Sequence, residues 1–142
     1  MTRGEILLRD ALPVDAATVL KLWDAAYVES SRSHFDDIPA LLAHGPSERL
    51  LLAEVDGLVA GSLIATFDGW RGNMYRLAVH PDFQRRGVAR RLVEEAHTWL
   101  KSRGCSRITA LVEGDHDYAT SFWDSVGYRY DAGMRRYSLN ID

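Results

Sequence analysis

Two apolar runs, Arg49 to Asp56 and Leu58 to Phe67, meet at Asp56-Gly57. Asp-Gly between such runs is the strongest short hairpin signal in the chain, because a two-residue hairpin turn needs positive φ at its centre. A second turn, Asp68-Gly69-Trp70-Arg71-Gly72, leads into another strand, Met74 to Val79. Pro81 ends that strand, since proline has no N–H to give to a ladder. From Arg85 to Arg103 the pattern becomes helical. Val88, Leu92, Ala96 and Leu100 fall at four-residue steps, with Val93 and Trp99 beside them. Gly104 suits the helix end, where a left-handed residue is wanted.

The flanking sequence completes the element order. Ile6 to Leu8 predicts a short first strand. Val14, Val19, Leu20, Trp23 and Tyr27 follow Pro13 as a helical stripe, and proline is tolerated in a first turn. The polar stretch from Ser30 to Asp37 predicts a loop, then a short helix around Ile38, Leu41 and Leu42, broken by Pro46 and Ser47. Arg107 to Val112 predicts a strand. A helix starting at Asp115 or His116 runs through Ala119, Phe122 and Val126 to Gly127, and two short strands, around Tyr128 and from Arg135 to Leu139, finish the chain. The order β-α-α-β-β-β-α-β-α-β-β, without linker or repeat, implies one α/β domain over residues 1–142 with a mixed sheet.

Bulk properties narrow the function. The chain has 142 residues, 46% hydrophobic and 26% charged, as in an ordinary globular enzyme or binding module. With 20 acidic and 17 basic residues the net charge is −3, which disfavours a general nucleic-acid binder. A single cysteine, Cys105, excludes an internal disulfide and suits a reducing compartment. No apolar run reaches the roughly 18 residues of a membrane span, and the first ten residues hold too short an apolar stretch for a signal peptide. A cytoplasmic protein without membrane association is expected.

The informative segment is Leu77-Ala78-Val79-His80-Pro81-Asp82-Phe83-Gln84-Arg85-Arg86-Gly87-Val88-Ala89. A strand runs through a turn into the long helix. Gly87 has no side chain and Ala89 almost none, so an outside group can approach the backbone. The first N–H groups of a helix lack internal partners and sit at its positive end. Arg85, Arg86, Arg90 and Arg91 add four cations, and together these features make a pyrophosphate cradle. Neither the Gly-rich ATP loop nor the dinucleotide fingerprint is present.

Gln84-Arg85-Arg86-Gly87-Val88-Ala89, following Leu77-Ala78-Val79-His80-Pro81, resembles the CoA-binding signature Gln/Arg-x-x-Gly-x-Gly/Ala of the GNAT N-acetyltransferase family. Phe122-Trp123-Asp124-Ser125-Val126-Gly127-Tyr128 resembles the family's second block, usually a Leu-Tyr-x-x-x-Gly-Phe run, and Ala119 stands three residues before it. Asp68 to Val79 resembles a subset of small single-domain bacterial members with Asp-Gly-x-Arg-Gly in this turn.

The resemblance implies a mixed, mostly antiparallel sheet splayed between strands 4 and 5 and flanked by about four helices. It implies an acetyl-CoA-dependent N-acetyltransferase acting on a primary amine of a small molecule or protein, by direct attack in a ternary complex. Pantetheine would lie against Leu77, Ala78 and Val79. Pyrophosphate would meet the backbone of Arg86, Gly87, Val88 and Ala89, with Gln84, Arg85 and Arg90 around it. His116 stands where the family often has an asparagine near pantetheine, and is either a donor there or a solvated residue at a helix start. Phe122 and Trp123 would line the same cavity.

Two family positions differ here. Trp123 replaces the tyrosine that often serves as general acid, and Asn73 replaces a glutamate base. Tyr75, on the face of Asn73, and Glu113, at the end of the next strand, are the remaining candidates for moving a proton. Arg32, His34, Asp68, Trp70 and Arg71 are the candidates for the acceptor pocket. These departures leave open an alternative, a non-catalytic acyl-CoA-binding module of the same fold. No metal is expected, and a homodimer is left open.

Overall fold

The structure is a computed structural model that describes residues 4–26, 38–43, 45–112, 117–139 and 141. The chain divides into two compact units, Met1–Leu111 and Val112–Asp142.

The first unit holds a five-stranded sheet in the order β1-β2-β3-β4-β5, with β1 at Ile6–Asp10, β2 at Glu48–Val55, β3 at Leu58–Phe67, β4 at Gly72–Val79 and β5 at Ile108–Ala110. The first four strands are antiparallel neighbours; β4 and β5 run parallel. The hairpin turns at Asp56 (φ 51°) and Gly57 (φ 80°), the left-handed pair that an Asp-Gly turn supplies. The mixed sheet and its helices agree with the expected fold. No helix among the described residues is long and apolar enough to cross a membrane.

Helices cover both faces. α1 (Ala16–Ala26) and α2 (Ile38–Leu42) pack on one face, where Val19, Leu22, Trp23, Ile38 and Leu41 cluster with Leu50, Leu52, Ile64 and Ala78. Val14 and Leu20 do not belong to this stripe: both are exposed, and Leu22 takes the inward position. Residues Pro13–Asp15 form a separate 3-10 turn, which shifts the phase of the helix that follows.

α3 (Val88–Ser102) covers the other face, burying Val88, Leu92, Val93, Ala96 and Leu100 as the four-residue steps require. Gly61 of β3 makes the close approach. A Cβ there would stand 2.7 Å from Val88 Cγ1 and 3.1 Å from the Ala78 carbonyl oxygen, so only glycine lets the first turn of α3 settle on the sheet. Gly104 (φ 86°) ends α3 as expected, donating to the Lys101 carbonyl at 3.1 Å.

The second unit contains α4 (Asp117–Ser125), ended by Gly127 (φ 94°). The two strands expected around Tyr128 and from Arg135 to Leu139 are not formed: residues 126–139 have turns but no ladder. Alternating composition makes a strand only where a neighbour accepts its hydrogen bonds. Here Asp131 closes a local turn instead, accepting from the Gly133 and Met134 N–H groups.

The entrance to α1 is fixed by charge. Asp15 accepts both terminal nitrogens of Arg9 at 2.8 Å and the Leu12 N–H at 2.8 Å; Arg9 also pairs with Glu54. Hydrogen bonding to Arg9 is the main cause that brings the Asp15 carboxyl down to about 2. A lowered folded value contributes stability above the ordinary aspartate range near 4 and loses it as pH falls through about 2. Urea unfolding should therefore show Asp15→Asn less stable than wild type at pH 7. The gap should narrow between about pH 4 and 2 as wild type loses the ion pair. An unchanged gap across that window would assign the stability to another group.

Candidate functional site

β4 keeps its ladder to β3 along its length but pairs with β5 at only three described positions, Gly72↔Ile108, Asn73↔Thr109 and Met74↔Ala110. One further bond runs from the Leu111 N–H to the Met74 carbonyl at 3.0 Å. Beyond Met74 the described strands part. Leu77, Ala78 and Val79 lie on the stretch of β4 past the last β5 pair, where a ligand can act as a strand.

The loop that follows is ordered by its own contacts. His80 caps a short turn, Pro81–Phe83, its Nδ1 accepting from the Asp82 N–H at 3.1 Å. Gln84 anchors the loop. Its side-chain amide donates to the Val79 carbonyl at 3.4 Å, tying the loop to the end of β4. The Arg86 guanidinium lies 5.4 Å from the Phe83 ring centroid.

Arg85 (φ 64°) and Gly87 (φ 83°) are both left-handed, on either side of Arg86. Gly87 is the N-cap of α3 and brings no side-chain cap to the helix. Arg85, Arg86, Gly87, Val88, Ala89 and Arg90 thus stand together around the start of α3. A Cβ on Gly87 would meet no heavy atom within 4 Å. Glycine is required there by the left-handed φ, and space remains above it for a group from outside. An uncapped helix start with alternating backbone conformations is the geometry that takes a phosphate. The residues present therefore fit a pyrophosphate-bearing ligand.

Asn73 and Tyr75 lie on β4 near the parting. Tyr75 packs against the α1 cluster. Burial, more than the charge of Glu48, pushes its phenol up from its ordinary value. Tyr75 therefore keeps its proton at neutral pH, which suits a donor and not a base. Arg76, which simple strand alternation would set on the opposite face from Tyr75, is instead a left-handed residue (φ 56°) whose guanidinium lies 4.5 Å from the Trp23 ring centroid, on the α1 side. The register explains the change. Ile64 pairs with Tyr75 and Ser62 with Ala78, so two β4 residues, Arg76 and Leu77, stand opposite Leu63. That extra residue is a β-bulge, and it breaks the simple alternation. The clue in the sequence is Ser62, a polar residue in the middle of an apolar stretch.

Three other candidates lie apart from the loop that follows β4. Asp68, Trp70 and Arg71 occupy the turn before β4, at the opposite end of an eight-residue strand from the loop, roughly 23 Å along the chain direction. Asp68 accepts the Trp70 and Arg71 N–H groups at 2.8 and 2.7 Å, bonds that lower its carboxyl, that of Arg71 first. The Arg71 guanidinium lies 4.2 Å from the centroid of the exposed Trp70 ring. Phe122 and Trp123 belong to α4. There Trp123 is buried between Phe122 and Tyr128, with ring centroids 5.5 and 4.8 Å away, both edge-to-face. Arg32, His34, Glu113 and His116 lie outside the described residues.

Comparison with known proteins agrees with this geometry. The profile of the acetyltransferase (GNAT) family matches residues 16–128. An acetyltransferase of Sodalis glossinidius is 41% identical over 92 residues, 65% of this chain and 64% of that protein. One of Pectobacterium atrosepticum is 39% identical over the same length and shares. The match spans less than two thirds of those relatives. Among solved structures, an aminoglycoside 6'-N-acetyltransferase of Acinetobacter haemolyticus superposes with a TM-score of 0.76 at 23% identity, covering 96% of this chain and 99% of that one. An aminoglycoside N-acetyltransferase in complex with CoA gives 0.78 at 16% identity, covering 99% and 98%. A transcriptional regulator of Bacillus halodurans gives 0.74 at 18%, covering 96% and 100%, so at this distance the likeness speaks for the fold alone. The family profile takes in most of the chain, from α1 through the cradle to the second block, and this chain belongs to the GNAT acetyltransferase family.

Proposed function

We propose that this chain is an acetyl-CoA-dependent N-acetyltransferase that passes the acetyl group to a primary amine, of a small molecule or a protein, by direct attack in a ternary complex. The observation that carries this reading is Gly87, left-handed with open space above it at the uncapped start of α3. The family profile spans both units, which supports one working domain over residues 1–142. The neighbours that are aminoglycoside acetyltransferases favour a small-molecule amine. The one cysteine and the small negative charge fit work in the cytoplasm without nucleic acid.

Acetyl-CoA would supply an activated thioester. Backbone N–H groups of Arg86, Gly87, Val88 and Ala89 would hold its pyrophosphate, with Arg85 and Arg90 neutralising charge and Gln84 fixing the loop. Leu77, Ala78 and Val79 would offer β4 backbone to pantetheine, with His116, Phe122 and Trp123 completing that side. Arg32, His34, Asp68, Trp70 and Arg71 would meet the acceptor. Tyr75, which keeps its proton, would donate toward the leaving sulfur, and Glu113 would draw the proton from the incoming amine.

Calorimetry with CoA tests the cradle. Gly87→Glu forces a side chain into the left-handed region, about 1–2 kcal/mol, and sets a negative charge where phosphate would lie. The strain lowers stability in free and bound protein alike, while the bulk and charge of the new side chain should cost CoA affinity about tenfold or more. Wild-type affinity in that variant would move the cofactor elsewhere.

The proton assignments separate by pH. Tyr75→Phe should lower kcat by about 10²-fold or more, as loss of a general acid does. That loss should stay constant from pH 7 to about 9, where a raised phenol is still protonated. Glu113→Gln should cost most near neutrality, less as pH rises and more amine is already neutral. Rates and pH profiles equal to wild type in both variants would leave proton movement to water.

A further inference from the structure

Trp23 of α1 and Ser62 of β3 are both buried, Ser62 completely. The Trp23 Nε1–H donates to Ser62 Oγ at 2.9 Å, and Ser62 Oγ donates onward to the Arg76 carbonyl at 3.3 Å. The hydroxyl thus accepts one bond and gives one. The same indole carries the Arg76 guanidinium over its ring. Arg76 is held at two points, its carbonyl through Ser62 and its side chain on Trp23.

Left-handed backbone is unfavourable for a residue with a Cβ. It persists where the surroundings over-determine it, and such places cluster at functional sites. This one falls two residues after Met74, the last β4 residue paired with β5. The bulge therefore lies where the strands part, beside the backbone of Leu77 and Ala78.

We propose that Trp23 and Ser62 are positioning residues for acetyl transfer: their hydrogen-bonded pair clamps the β4 bulge at Arg76 and sets the backbone of residues 76–78 against which the thioester end of the donor is aligned. The inference rests on the acetyltransferase reading above. Neither residue touches the donor; both act through the Arg76 carbonyl. The pair replaces what a glycine at position 76 would supply by conformational freedom alone.

Three variants test it: Ser62→Ala, Trp23→Phe, and Ser62→Ala with Arg76→Gly. Amide hydrogen exchange at residues 75–78 reads the clamp without turnover, and urea unfolding confirms that each variant is folded. Thiol release from acetyl-CoA with an amine panel reads kcat, and calorimetry reads CoA affinity. Ser62→Ala and Trp23→Phe should each speed exchange at 75–78. Each should also lower kcat by about 10–100-fold, the scale of a misplacement near 1 Å. CoA affinity should stay near wild type, because the pyrophosphate loop is untouched. Arg76→Gly in the Ser62→Ala background should recover much of kcat, since glycine takes the left-handed shape without a clamp.

Unchanged exchange in both single variants overturns the clamp. Faster exchange with unchanged kcat, a parallel loss of kcat and CoA affinity, or no recovery with Arg76→Gly overturns the positioning role. Absence of thiol release by wild type with every amine would instead fail the acetyltransferase reading, and the exchange data would still decide whether the pair holds the bulge.

Discussion

Between Met74 and Val79, β4 keeps one ladder and loses the other. The antiparallel pairing to β3 continues to Gly61↔Val79, while the parallel pairing to β5 stops at Met74↔Ala110 among the described residues. A strand released on one side needs its other side held firmly, or its polar backbone groups have no fixed place. β3 provides that hold through two neighbouring residues on opposite faces. Gly61 lets Val88 of α3 press close, and Ser62 reaches the Arg76 carbonyl on the α1 side. The small Gly61-Ser62 pair of β3 is thus the fulcrum of the first unit, setting both the bulge of β4 and the seat of the first turn of α3.

The two long helices begin with opposite electrostatics. α1 follows Asp15, whose carboxylate satisfies a backbone N–H and pairs with Arg9. A negative group near a helix start is favourable. α3 starts with Gly87 and no side-chain cap, and carries Arg90 and Arg91 in its first turn with no acid. Cations at the positive end of a helix are unfavourable by a few tenths to about 1 kcal/mol each. Under the transferase reading, the bare and cationic start of α3 is where an anion from outside would be held.

The features legible in the sequence are those set by local chemistry. Asp56-Gly57 marked the hairpin because few residues accept its dihedrals, Gly104 marked the end of α3, and four-residue apolar steps marked its buried face. Gly87 and its arginines could be read as a phosphate cradle for the same reason. What the sequence hid was set by neighbours distant along the chain. Nothing local at Arg76 announces a left-handed residue; the bulge exists because β3 supplies one residue, Leu63, where β4 supplies two. The phase of α1 depends on where the 3-10 turn ends, which the apolar pattern does not encode, so the pattern points Leu20 inward where the structure buries Leu22. The C-terminal strands were read from composition, which cannot say whether a partner is in place.

Trp123, where relatives often have a tyrosine, bears on how much of acetyl transfer depends on proton chemistry. A free thiol has a pKa near 8.5, so a departing thiolate is tolerable with little help, whereas an amine near 10.4 is neutral in only about one molecule in a few thousand at pH 7. The harder task lies with the acceptor. General acid–base help contributes about 10²–10⁴-fold, while good alignment of two reactants is worth effective molarities of about 10⁵–10⁸ M. A site without the tyrosine at position 123 keeps the larger factor if its backbone is rigid where the donor lies. In this chain rigidity at that place comes from the Trp23–Ser62–Arg76 contacts and from the Gln84 bond to Val79. Within the second unit the Trp123 indole has two edge-to-face ring neighbours, Phe122 and Tyr128. Under the transferase reading, the shape of β4 serves the larger of these two factors, alignment.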